Sequence, residues 1–178
     1  MKTEFEKKLK ENGFSYQWHY DDYYILSRND DVGRKIKVQL VSAEPRLEVL
    51  HMSHNGNKLQ AVGSFKLELM NVTKENDLFI FAFENTINQC VEFIIISSKE
   101  FKRRLIESYR ILRDNHVLNI VFWLLADGYN DNKLYETTDV GIEWEWYFLS
   151  KGENGRIVDN TDLDYTEYLN NWDKLKMI

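Results

Sequence analysis

One cysteine, one proline and no long apolar run stand out first in this chain of 178 residues. The lone Cys90 excludes an internal disulfide framework and sets the expectation of a reducing, cytoplasmic compartment. The opening "MKTEFEKKLKENG" has no apolar stretch that could serve as a secretory signal. No stretch approaches the roughly 18 apolar residues of a membrane span, so no membrane association is predicted. A single proline and the lack of repeats leave no low-complexity linker, and one domain over residues 1–178 is the economical reading. Glycine-rich phosphate loops, GxSxG elbows and HExxH helices are all missing. Their absence removes the chemistries that those motifs carry.

Core-forming residues are plentiful. The chain is 43% hydrophobic and 14% aromatic, enough to bury a core without covalent staples. Its net charge of -6 is uneven. From Asp127 to Asp173 twelve acids face three bases (Lys133, Lys151, Arg156), whereas residues 1–126 are close to balanced. No broad basic stripe of the kind that gives non-specific nucleic-acid affinity is present. The acidic stretch reads first as a solvated surface.

Local patterns predict an α+β protein, a mixed central sheet flanked by helices with extra antiparallel hairpins. "TEFEKKLKEN" reads as a polar helix stopped by Gly13. "WHYDDYYILS" (18–27) reads as one strand, rich in aromatic and β-branched residues. In "KIKVQLV" (35–41) Ile36, Val38 and Leu40 alternate with Lys35, Lys37 and Gln39, so one face is buried and one polar. "SAEP" is expected to turn this strand into a hairpin with "RLEVLHM", and Gly63 to separate two strands over 58–62 and 65–70. The apolar runs "DLFIFAF" and "VEFIIIS" are expected as central strands buried on both faces. Ser97 and Glu100 form a capping box opening a helix along which Phe101, Leu105, Tyr109 and Leu112 recur. Strands over 118–125 and 142–149 and an amphipathic helix, "DYTEYLNNWDKL", complete the chain.

Several polar groupings admit either a chemical or a structural role. His51 and His54, three apart, do not share a strand face, and Cys90 is the one further soft ligand, so no zinc site is indicated. Lys99, Lys102, Arg103, Arg104, Arg110 and Arg113 share a helix with Glu100, Glu107 and Asp114. Arg103, Glu107, Arg110 and Asp114 alternate in sign along one stripe, which fits mutual ion pairs on a solvated face better than a phosphate contact surface. In "EWEW", Glu143 and Glu145 could approach a hard cation, but an exposed strand face over a tryptophan-filled core is the better reading. Trp144, Trp146 and Trp172 are therefore expected in the core.

The order of elements resembles the PD-(D/E)XK, or restriction-endonuclease-like, superfamily. The resemblance rests on the leading helix, on "DDYYILS" with Asp21 or Asp22 at the motif-aspartate position, and on "KIKVQLVS" where the family often reads "VQVKS". The later "NDLFIFAFENTINQCVEFIIISSKEF" and the closing "DYTEYLNNWDKL" are similar to the strands and final helix of such proteins. Carried onto this chain, the resemblance implies a core in which Asp22, with Glu48 as a further candidate, would hold Mg²⁺ if the protein is active, and Gln39 fills the acidic position. Val41 stands where the family carries its lysine. In these enzymes the metal activates water and the lysine offsets charge on the phosphate. Glutamine is a neutral ligand and valine brings no charge, so the catalytic set is expected to be degenerate. Lys37, two residues before Gln39 on the same strand face, is the one displaced candidate.

Three readings follow. The first is a catalytically degenerate nuclease-fold protein acting in nucleic-acid-related binding or regulation. The second is a divergent Mg²⁺-dependent endonuclease using Asp22, Gln39, Lys37 and Glu48. The third is an acidic interaction protein, such as an immunity or inhibitor protein, that presents its negative C-terminal region to a basic protein partner. Fold analogy alone does not choose among them.

Overall fold

The computed structural model describes residues 1–19, 23–44, 51–54, 57–68, 72, 75–85, 89–108, 117–125, 134–138 and 165–177. Their architecture is α+β: a five-stranded mixed sheet, a second four-stranded sheet and a few short helices. The first sheet runs β1 (Phe14–His19), β2 (Tyr23–Arg28), β3 (Asp31–Ser42), β6 (Leu78–Asn85) and β7 (Cys90–Ser97), in that spatial order. β3 and β6 are its parallel pair. The second sheet orders β4 (His51–His54), β5 (Asn57–Glu68), β8 (Val117–Leu125) and β9 (Leu134–Thr138), all antiparallel. Between β3 and its parallel neighbour β6 the chain thus visits the second sheet, where a helix is the usual crossover.

Period-two alternation along β6 builds both cores. Leu78, Ile80 and Ala82 enter one apolar cluster with Ile36, Val38 and Leu40 of β3. Against this cluster packs α1 (Lys2–Glu11), which inserts Phe5 and Leu9, one turn apart, and ends at Gly13 with φ of +81°. Phe79, Phe81 and Phe83 point the other way and meet Phe65 of β5 and Phe122 of β8. Phe81 lies 5.2 Å from Phe65, 5.6 Å from Phe122 and 5.2 Å from Phe101, between ring centroids, in edge-on and tilted contacts. Phe101 belongs to α2 (Ser98–Ser108), whose amide at Glu100 donates to Ser97 Oγ at 3.1 Å, the serine half of the expected capping box. Among the described residues no helix is long and apolar enough to cross a membrane.

Five local expectations change. The expected strand over 18–27 is the end of β1 and most of β2, two antiparallel strands with His19 opposite Tyr23. The intervening Tyr20, Asp21 and Asp22 lie outside the described residues. β4 pairs with β5 rather than with β3, so "SAEP" leads to the other sheet instead of a hairpin. The two strands expected around Gly63 are one strand, β5, with a register shift between Ala61 and Gly63. Glycine is required there by close approach: a Cβ would lie 2.6 Å from the Phe65 ring and 3.1 Å from Phe83 Cβ. β7 is an edge strand rather than a central one, and the edge is covered by the C-terminal segment, where Leu169 bridges Ile94.

That segment is not one amphipathic helix. It forms a 3-10 turn (Thr166–Tyr168), the extended residue Leu169 and a four-residue helix α3 (Asp173–Lys176). Asn170, at φ of +50°, interrupts it. Its amide donates to the Phe93 carbonyl at 2.6 Å and its side-chain oxygen accepts from the Phe93 amide at 3.0 Å. Pairing with an open strand edge outweighs continuing the helix. Trp172 is half-buried against Phe5 and Phe93, as expected for a core-facing residue. Trp144, Trp146 and the strand expected at 142–149 lie outside the described residues.

Replacing Phe81 with Ala is expected to cost about 3–5 kcal/mol, because it removes a ring that contacts both sheets and α2. Chemical denaturation would read this, and a loss below about 1 kcal/mol would show that the sheets do not pack through that ring. Gly63→Ala is expected to cost about 1–3 kcal/mol by overpacking at Phe65 and Phe83.

Candidate functional site

At the C-terminal end of β3 lies a cavity of about 280 Å³. Gln39, Leu40, Val41 and Ser42 of β3 line it, with Lys66 and Leu67 from β5, Trp18 from β1, Tyr24 from β2 and Lys2 from α1. It therefore sits where the two sheets and the first helix converge. The described register of β2 on β3 runs to Tyr23, opposite Gln39, so the cavity begins where that described pairing ends.

Neighbouring contacts fix the walls. The Tyr16 and Tyr24 hydroxyls donate to the two carboxylate oxygens of Glu6 at 3.1 and 3.2 Å, tying α1 to β1 and β2. Burial of the Tyr16 hydroxyl, and then its bond to the Glu6 carboxylate, push its pKa up. With α1 so placed, the Lys2 ammonium rests 3.6 Å above the centre of the Trp18 ring. Trp18 is 40% exposed. Lys66 approaches from the other sheet and pairs with Glu44 at 3.0 Å, an exposed ion pair that contributes little to stability. Asp77 fixes the opposite side of β3: its carboxylate accepts from the Lys37 amide at 2.7 Å and its own amide donates to the Lys37 carbonyl at 2.8 Å.

The candidates from the sequence divide accordingly. Gln39 is 6% exposed and lines the cavity. Val41 lines it too, yet at 9% exposure belongs to the aromatic core with Phe65, Phe79 and Phe81. Lys37 shares the Gln39 face of β3 and its ammonium lies 4.8 Å over the Tyr23 ring. It is not among the residues lining the cavity. Asp21, Asp22 and Glu48 lie outside the described residues, as do Arg110, Arg113, Asp114, Glu143 and Glu145. Of the acidic region 127–173, only β9 and the segment from Tyr165 onward are described. Lys2, Trp18 and Lys66 were missed. They stand 16 to 64 residues apart in sequence, and no local spacing signals that a helix start, an edge strand and a second sheet meet. Among the described residues no cluster of three or more His, Cys, Asp or Glu gathers.

A second polar cluster is structural. Arg104 of α2 has 6% of its side chain exposed and lies between the Tyr165 and Tyr168 rings, 4.9 Å from each centroid. It donates to Glu100 at 2.8 Å and to the Tyr168 hydroxyl at 3.2 Å, and it lies 3.6 Å from Glu167. Arg103 donates twice to the same Glu100 carboxylate, at 2.7 and 3.0 Å. These bonds, from Arg103 first and then from Arg104, hold the Glu100 carboxyl down at about 2. Burial pushes the Tyr168 hydroxyl well above its ordinary range. Arg104 thus fastens the C-terminal segment to α2. Of the expected ion-pair stripe, Arg103 pairs with Glu100, and Arg110 and Asp114 lie outside the described residues.

Because Glu100 binds its proton less readily folded than unfolded, its contribution is fully present above about pH 4.5 and is lost as pH falls toward 2. The wild type is expected to lose up to about 2–3 kcal/mol more unfolding free energy than Glu100→Gln across that window. Denaturation series at pH 5 and pH 2 measure it; parallel profiles for the two proteins would show that the carboxylate makes no such contribution.

No family model matches the chain, and no curated protein or solved structure proved similar to it. The functional reading therefore rests on the arrangement of the cavity itself.

Proposed function

We propose that this protein is a nuclease-like α+β fold that has lost catalysis and binds nucleic acid at the end of β3. The observation that carries the reading is the placement of Val41. The strand position that would need a lysine is 9% exposed and packs among phenylalanines. A lysine ammonium there would have to be desolvated within an aromatic core or displace it. The position is built for packing, and positive charge at the cavity comes instead from Lys2 and Lys66. Both reach it on long flexible stems suited to holding phosphate as point charges.

The rival reading, a divergent Mg²⁺-dependent endonuclease, draws on Lys37 sharing the strand face of Gln39. Asp22 and Glu48 would be its metal ligands and Mg²⁺ its cofactor. Lys37, however, lies over Tyr23 and outside the cavity lining. The third reading, an acidic protein facing a basic partner, draws on the excess of negative charge from Asp127 to Asp173.

Purified protein is expected to show no cleavage of DNA or RNA above background with Mg²⁺ or Mn²⁺. The assay sets the wild type beside Asp22→Ala and Lys37→Ala. Metal-dependent cleavage abolished by both substitutions would overturn the degenerate reading in favour of the divergent nuclease.

A further inference from the structure

The size and charge of the cavity at the end of β3 bear on which class of nucleic acid it would admit. At about 280 Å³ it falls at the small end of small-molecule sites and is a recess rather than a groove. Its cations are Lys2 and Lys66, on a chain whose net charge is -6. Tracking a duplex takes a run of phosphate contacts from a basic surface, and among the described residues the cations lining the recess are two. Two lysines can instead neutralise the phosphates on either side of one nucleotide. The remaining requirement is a platform for the base: Trp18 is 40% exposed, and a base on the face that the Lys2 ammonium covers at 3.6 Å would displace that ammonium toward the adjacent phosphate.

Base stacking on an indole is tolerant of sequence, because every base presents a π face. It requires an unpaired base, since a base within a duplex is already stacked on both sides. Gln39, 6% exposed, lines the same recess. The Glu44 carboxylate lies 3.0 Å from Lys66, and a phosphate would compete with it for the ammonium.

We infer that the cavity bounded by Trp18, Lys2, Lys66 and Gln39 takes a single unpaired nucleotide of a single-stranded nucleic acid, stacking its base on Trp18 and pairing its flanking phosphates with the two lysines. This rests on the nucleic-acid-binding reading above and narrows it to one strand and one nucleotide.

The test is fluorescence anisotropy with a labelled ten-nucleotide thymidine strand and a labelled ten-base-pair duplex, using the full chain over a series of salt concentrations. The single strand is expected to bind more tightly than the duplex, with log K falling against log salt at a slope near -1.4, the value for about two phosphate contacts. Lys66→Gln should bring the slope to about -0.7. Trp18→Ala should weaken binding about tenfold, and Trp18→Phe, which keeps an aromatic platform, should restore most of it. Thermal unfolding of each variant, matched to the wild type, confirms that the fold is intact. Duplex bound as tightly as the single strand, with Trp18→Ala silent, would overturn the inference while leaving a nucleic-acid-binding protein. A slope steeper than about -4 would overturn it in favour of extended backbone tracking. Binding of neither probe would remove both the inference and the reading beneath it.

Discussion

Between Leu78 and Phe83 the chain has no solvent-facing side chain, and this double burial dictates the layering of everything else. Three aliphatic residues on one face of β6 need a cover, and α1 with α3 provides it through Phe5, Leu9 and Leu175. Three phenylalanines on the other face need a thicker cover, and the second sheet with α2 provides that. Six consecutive buried side chains of this size remove on the order of 10 kcal/mol worth of apolar surface from water before conformational entropy is counted. β3 inherits its neighbours from β6, because the parallel register from Val38 to Ser42 carries the same two covers across. The site at the end of β3 is thus a junction of covers: helix on one side, second sheet on the other.

The same constraint explains why the polarity of the site is assembled from distant residues. Odd-numbered positions of β3 face the phenylalanine side, and along that face the environment changes from half-exposed at Lys37 to packed at Val41. A charged residue is tolerated at the first position and costly at the second. Charge can enter only from the rims, from the start of α1 and from the polar face of β5. The molecule therefore separates what holds the strand in place from what meets solvent there. Asp77 shows the division at its clearest, spending its carboxylate and both backbone groups on Lys37 and Ser98 rather than on the cavity.

Much of the fold was legible because local pattern and tertiary role agreed. Ile36, Val38 and Leu40 alternate in the sequence and are buried together; Phe5 and Leu9 lie one helical turn apart and pack together. Legibility failed where a long-range partner decided the outcome. The apolar run of β7 reads as doubly buried, and it is, yet one of its edges is covered by Leu169 and Asn170 about 75 residues later, which no window reveals. The same partnership breaks a helix that the spacing of "DYTEYLNNWDKL" predicts. At the site, Gln39 and Val41 were found because a short strand motif singled them out. Lys2, Trp18 and Lys66 were not, since each looks like an ordinary surface residue until the two sheets meet.

The cover over β7 has a consequence for how the chain keeps to itself. "CVEFIII" combines β-branched and aromatic residues with a single charge, in a strand that ends its sheet. Such an edge offers unpaired backbone groups to any other extended chain and is a template for intermolecular strand addition. Leu169 and Asn170 occupy that template from within, with two hydrogen bonds to Phe93 and a bridge at Ile94. Arg104 and its tyrosines hold the occupant down. A buried arginine on a helix thereby helps to keep a neighbouring sheet edge occupied from within the chain.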